Sequence, residues 1–227
     1  MKKIMKRFFM VAMSLIIAVE VLGAQDLKDS RRQRRDTEIY TMKELNEKAS
    51  KAAKKEAKKL AKEGWVVAPG HLPLEKQLDR TYQLQYEINE NGEPKYIIGD
   101  AMSIGESYDA AKFQATELVK LDIASKIQAD MTELIENTRA NKQLSDEQAA
   151  SIIESLGASK SLVSQKIGRI NPIVECYRTK QNKNKEVRLM VAYDYQKALD
   201  AAKAAIRESL EKKGEDLHEQ LDTILGL

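Results

Sequence analysis

From residue 41 onward, apolar residues recur every three or four positions in several separate stretches, the spacing that gathers them on one side of a helix. Leu45, Ala49, Ala52, Ala53, Ala57, Leu60 and Ala61 form the first stripe, opposed by Lys51, Lys54, Lys55, Lys58, Lys59 and Lys62. This predicts an amphipathic helix over 41–63, ended by Gly64. Trp65-Val66-Val67 reads as a short extended piece and Pro69-Gly70 as a turn. Pro73 then opens a second helix that carries Leu74, Leu78 and Tyr82 at four-residue steps and ends near Ile88. The longest stripe comprises Ala111, Ala115, Leu118, Val119, Ile123, Ile127, Met131, Leu134 and Ile135. It predicts a helix over 108–139, with Ser107 and Asp109 as entry caps. Ser145 with Gln148 signals a capping box, followed by Ile152, Ile153 and Leu156, with an end around Gly157; the pattern leaves its continuation toward Ile167 open. Ala198, Leu199, Ala202, Ala205, Ile206 and Leu210 predict a helix up to Gly214, and Leu217, Leu221, Ile224 and Leu225 a short closing one.

Strands follow a period of two. Tyr96 to Met102, after the Asn91-Gly92 turn signal, is the first run of this kind. Ile167–Tyr177 and Glu186–Tyr195 flank the polar Gln181-Asn182-Lys183-Asn184, and Val187, Leu189, Val191, Tyr193 and Tyr195 alternate with more polar positions. The pair predicts an antiparallel hairpin. The expected fold is therefore α+β, in the order β-α-(α)-β-β-α. A three-stranded antiparallel sheet packs its apolar face on the Ala111 to Ile135 stripe. The expected organisation is a helical arm at 41–92, the α+β domain at 93–213 and a C-terminal helix at 214–227.

The N-terminus changes the setting. Lys2, Lys3, Lys6 and Arg7 precede a run from Phe8 to Val19 that is apolar apart from Ser14, and small residues follow at Gly23 and Ala24. That order predicts a secretory signal peptide over 1–24, cut after Gly23 or Ala24, with an apolar core too short to anchor in a bilayer. The stretch Val21-Leu22-Gly23-Ala24-Gln25 offers no cysteine for a lipid, and the chain's single cysteine, Cys176, lies in an expected strand. No intramolecular disulfide can form, and a buried thiol is expected. No later segment is apolar enough to span a membrane.

Charge is uneven along the chain. The formal net charge of +3 owes its sign to the signal segment, and the remainder holds 34 basic and 34 acidic residues. Residues 25–63 carry 13 basic and 8 acidic groups, a basic arm ahead of an acidic body. Within it, Arg31, Arg32, Arg34 and Arg35 lie in an expected disordered leader over 25–40, and Lys51, Lys55, Lys58 and Lys62 on the predicted helix. These eight are the candidate contact residues for an anionic envelope surface, with an ordinary solvated helix face as the plain alternative. Nucleic acid is not the expected partner, because export removes the chain from most of it and Trp65 is the only aromatic nearby to stack on a base.

The sequence nominates no catalytic residue, metal ligand or cofactor. His71 and His218 stand far apart, Cys176 is alone, and no Gly-rich phosphate loop joins a strand to a helix. The runs Tyr96-Ile97-Ile98-Gly99, then Ser107-Tyr108-Asp109-Ala110-Ala111-Lys112-Phe113-Gln114-Ala115, then Val191-Ala192-Tyr193 give the region from Tyr96 to Leu210 a resemblance. It resembles the LPP-twenty family of bacterial envelope lipoproteins and their non-lipidated secreted relatives. In that family an A-x-x-x-A helix crosses a small antiparallel sheet whose closing strand alternates Val and Tyr. This chain departs from the family in lacking the lipid-bearing cysteine and in adding the basic arm. The resemblance implies a place in the envelope and carries over no functional residue, because the family has no established chemistry. The expected function is an exported, non-enzymatic protein of the periplasm or outer membrane in a Gram-negative-type envelope. It would act on an envelope protein, an anionic surface or a second copy of itself. The alternatives are a periplasmic enzyme with a dispersed site, or a module that binds a small ligand between arm and domain.

Overall fold

The computed structural model of the protein describes residues 48–68 and 70–214, together with Leu221. The expected signal peptide, the basic leader with Arg31, Arg32, Arg34 and Arg35, residues 41–47 and most of the C-terminal helix lie outside these residues. Helix α1 (Lys51–Lys62) begins where the Ser50 hydroxyl accepts the Ala53 N–H at 3.2 Å. This corrects the longer helix expected from residue 41 as far as residues 48–50 go: they are not helical, because Ser50 takes the capping conformation. Gly64, at φ +86°, makes a left-handed turn that lets the Trp65 N–H return to the Leu60 carbonyl at 3.0 Å. That turn folds Trp65 beneath α1 and leads into β1 (Val66–Val67).

Helix α2 (Leu74–Gln85) follows, with Pro73 at its N-cap. Then come β2 (Tyr96–Gly105), α3 (Tyr108–Ala140), α4 (Asp146–Ala158), α5 (Lys160–Ile167), β3 (Val174–Thr179), β4 (Lys185–Asp194) and α6 (Tyr195–Lys213). The α+β class holds, but the sheet has four antiparallel strands in the order β1-β3-β4-β2, not three. The additional strand is β1, which pairs Val66 with Tyr177 and Val67 with Cys176. Two residues are too few to show alternation, so the pattern alone left this piece unpaired. Strand β3 also starts later than expected: Ile167 closes a helix whose C-cap is Gly168, so the apolar run from Ile167 splits between helix and strand. The helix from Ser145, its capping box present as expected, is followed at Ser159 by a second one, which settles the stretch toward Ile167.

Alternation divides the sheet into two faces. Ile97, Gly99, Ser103, Val187, Leu189 and Val191 face α3. Seven α3 residues at intervals of four, Ala111, Ala115, Val119, Ile123, Ile127, Met131 and Ile135, are all fully buried. A series of that interval advances about 40° per step around a 3.6-residue helix, so the buried line winds from one partner to the next. Near its start Ser103 donates to the Ala111 carbonyl at 2.7 Å, and further along the Gln128 amide donates to the Leu156 carbonyl of α4. Leu118 and Leu134, expected on this stripe, fall outside the winding line and are exposed. Gly99 permits the close crossing, since a Cβ there would lie 2.7 Å from Ile123 Cγ1 and 2.9 Å from Val119 Cγ1.

The opposite face carries α1 and α2. Ala49, Ala53, Ala57, Leu60, Trp65, Leu74 and Leu78 pack with Val174 and Cys176 into a second, smaller core. The residues from Ala49 onward that were expected as an arm therefore form one compact unit with the sheet. Helix side chains cover open backbone groups at the β2 edge and on β3 where it runs past the two-residue β1. Asp122 accepts the outward Asp100 N–H of β2 at 3.0 Å, Lys126 donates to the Ile98 carbonyl at 2.7 Å, and Gln77 accepts the Glu175 N–H of β3 at 2.8 Å. Among the described residues, no helix is long and apolar enough to cross a membrane.

Candidate functional site

Helices α1 and α2 cover the second face incompletely. Val174, Cys176 and Met190 are covered, while Met102 of β2 keeps 53% of its surface exposed. The gap is an open cleft of ≈ 990 Å³, walled by Ala52, Lys55, Glu56, Lys58, Lys59, Lys62 and Glu63 of α1 and its C-terminal turn. Leu60, Trp65, Tyr82, Met102, Arg178 and Arg188 complete the lining. Six cations thus stand over one cleft.

The two arginines are held rigidly. Arg188 makes a bidentate pair with Asp100, Nε to Oδ1 at 3.1 Å and Nη2 to Oδ2 at 2.6 Å, and this pairing holds its guanidinium above its ordinary pKa. Arg178 donates from Nε to Glu186 at 2.5 Å and from Nη1 to the Glu63 carbonyl at 3.3 Å, and its guanidinium lies 4.6 Å from the centre of the Trp65 ring. Burial pushes the Glu186 carboxyl up, but the Arg178 hydrogen bond and charge outweigh it and hold it below the usual range. Because Arg178 pairs with Glu186 and Arg188 with Cys176 in the ladder, the arginines are diagonal neighbours on one face, with Cβ atoms about 7 Å apart. Tyr82 donates its phenol to Glu56, and burial with that carboxylate raises it to about 12. Lys55, Lys58, Lys59 and Lys62 are exposed and carry no ion pair among the described residues.

Of the contact residues expected from sequence, the structure brings Lys55, Lys58 and Lys62 to the cleft and leaves Lys51 exposed on α1 outside its lining. Lys59, Trp65, Tyr82, Met102, Arg178 and Arg188 were not foreseen there. One signal was available. Arg178 and Arg188 fall on the strand phase opposite to Val187, Leu189 and Val191, which marks a second, charged face of the same sheet.

A second polar cluster lies where β3 meets the start of α3. Glu175, 5% exposed, accepts from the Tyr108 phenol and from Lys112 Nζ at 2.6 Å, with His71 Nε2 at 3.7 Å. Burial raises the Glu175 carboxyl, but the Lys112 and Tyr108 hydrogen bonds and the Lys112 and His71 charges bring it below the ordinary range. Burial and Glu175 push the Tyr108 phenol well up. The cluster ties the loop before α2 and the first turns of α3 to β3. Cys176 is fully buried, as the sequence implied, and burial raises its thiol to about 12. Among the described residues no three His, Cys, Asp or Glu side chains gather as a metal ligand set. Comparison with family models, with curated proteins and with solved structures returns no match.

Proposed function

We propose that this protein is exported and works by contact, not catalysis, holding an anionic envelope partner at the cleft between α1 and the sheet. The observation that carries the reading is the convergence on one cleft of four lysines without ion pairs and two fixed arginines. With Glu56, Glu63 and the arginines' partners Asp100 and Glu186 set against them, the six cations still leave a positive surplus. Such a field attracts and orients an anion. The order of charge, apolar run and small residues over 1–24 supports export. The direction of the pKa shifts supports contact over acid–base chemistry. Carboxylates at Glu175 and Glu186 move down, the phenol of Tyr82 and the thiol of Cys176 move up, and each moves away from neutrality.

The test is co-sedimentation of the processed chain with phosphatidylglycerol-containing vesicles or with phosphatidylcholine alone. Binding should require the anionic lipid and weaken as the screening length falls from about 10 Å at 0.1 M salt to about 3 Å at 1 M. Lys58→Gln with Lys62→Gln should reduce it more than Lys51→Gln with Lys54→Gln, although both pairs remove the same charge. Equal losses would assign the effect to net charge and sink the cleft. Osmotic-shock fractionation with intact-mass measurement tests export, and a full-length mass among cytoplasmic proteins would overturn it.

A further inference from the structure

We infer that the cleft takes single molecules of an anionic amphiphile, one phosphate or carboxylate head carrying an apolar body. The inference rests on the cleft being the contact site and names its ligand. On the head side, the bidentate pair with Asp100 occupies Nε and Nη2 of Arg188, and Glu186 and the Glu63 carbonyl occupy Nε and Nη1 of Arg178. One nitrogen of each guanidinium, Nη1 of Arg188 and Nη2 of Arg178, keeps no acceptor among the described residues, and both residues line the cleft. Two donors fixed by their own ion pairs on diagonal positions of one sheet face are pre-organised for a tetrahedral or planar oxyanion, and little side-chain entropy remains to be lost on binding.

On the body side, the lining between α1 and the sheet is apolar: Ala52, Leu60, Trp65 and the half-exposed thioether of Met102. Met102 stands opposite Arg188 in the ladder, so the apolar wall begins where the cationic floor ends. Leu60 and Trp65, at 7% and 4% exposure, contribute only their edges, and Ala52 with Met102 at 53% exposure supplies most of the accessible apolar wall, while the lysines of α1 stand exposed beside it. A volume of ≈ 990 Å³ falls at the upper end of the range of about 300–1,000 Å³ typical of small-ligand sites.

Trp65 is the sequence's one tryptophan and lines the cleft, so its emission reports on occupancy. The processed chain is titrated with dodecyl phosphate below its micelle-forming concentration, with inorganic phosphate and with dodecyl maltoside. Dodecyl phosphate should saturate and shift the Trp65 emission at least about tenfold more tightly than either comparison ligand: burial of about two methylenes supplies that margin over inorganic phosphate, and charge-assisted hydrogen bonds from the arginines supply it over the uncharged maltoside. Met102→Ser should weaken dodecyl phosphate and leave inorganic phosphate unchanged. Arg188→Lys, which keeps the charge and loses the fork, should weaken both phosphates. Equal affinity for inorganic and dodecyl phosphate overturns the apolar half of the inference, and equal affinity for the maltoside overturns the anionic half. If none of the three binds while anionic vesicles still sediment the protein, the inference fails and the contact reading survives. If vesicles fail as well, both fall.

Discussion

The two faces of the sheet are built from the same four strands and put to different use. The face toward α3 is closed: Val119, Ile123, Ile127, Leu189, Val191 and Ile206 are buried within 1% of complete burial. The face toward α1 and α2 is half-closed, with Cys176, Val174 and Leu78 covered, the ion pairs of Arg178 and Arg188 beside them, and Met102 open. Aliphatic side chains that interdigitate leave no room for a ligand. Charged side chains on a strand cannot be sealed under a helix without heavy desolvation, so they hold a gap open. The closed face therefore supplies stability, and the half-closed one holds the cleft proposed as the contact site.

That contrast breaks most easily at Ile123. Ile123→Ala removes a fully buried side chain wedged against Gly99, and the cost should lie well inside the range of about 2–5 kcal/mol for such truncations. Leu60→Ala, on the half-closed face, should fall near the lower end of the same range, about 2 kcal/mol, because the cleft beside it lets the wall relax. Chemical denaturation of both variants decides the matter; equal costs would mean that the two faces are equally rigid.

Gly99→Ala sharpens the comparison from the other side by adding volume to the closed face. The new methyl would meet Ile123 and Val119 at 2.7 and 2.9 Å, and overpacking of this kind costs about 1–3 kcal/mol. Combined with Ile123→Val, which withdraws part of the opposing side chain, the loss should be smaller than the sum of the two single losses. Additive losses would show that the crossing is not set by this contact.

How much of this was legible in the sequence follows the same division. The closed face could be read nearly throughout, Leu118 and Leu134 apart, since Ala111 to Ile135 and Val187 to Val191 repeat at helical and strand periods and burial imposes those periods directly. The half-closed face could be read only in pieces. The α1 lysines were visible as a helix face, but Lys51 and Lys55 look alike in a sequence, and only the packing of α1 on the sheet sends one to the cleft and the other away. Strand β1 was hidden because its partners, Tyr177 and Cys176, lie more than a hundred residues away and two residues carry no period. Pairing at that distance leaves no local trace, and neither does the meeting of Trp65 with Arg178 and Arg188, whose strand phase marks a charged face but not what lies against it.

Acid should act on the ion pairs of the two faces, not on the aliphatic core. Glu175 and Glu186 both titrate below the ordinary carboxylate range in the folded protein. A depressed folded pKa contributes stability in full above the unfolded value of about 4.3 and loses it as pH falls from there through the folded pKa. Stability should therefore decline below about pH 4. Glu175→Gln should be less stable than wild type at neutral pH by about 1–3 kcal/mol, because Lys112 and Tyr108 lose a charged acceptor. The gap between the two should narrow toward pH 3, where the Glu186 part of the slope still remains. Parallel melting curves from pH 7 to pH 3 would show that Glu175 is not depressed.

The smallest stability effect belongs to the rim, and it separates folding from binding most cleanly. Lys55 is exposed on α1, touches neither core and has no ion pair among the described residues. Lys55→Ala should change stability by no more than about 0.5 kcal/mol, as surface substitutions away from special features do; alanine's higher helix propensity pushes toward the stable side. The same change withdraws a positive charge from the cleft wall, so affinity for anionic vesicles at low salt should fall, and the difference should vanish at high salt as screening removes the lost attraction. Ile123→Ala should behave in the opposite way, with lowered stability and unchanged affinity in the fraction that remains folded. A rim residue that moved the melting temperature as far as Ile123 would make α1 part of the stabilising core, and its lysines would then be a solvated helix face with no ligand to hold.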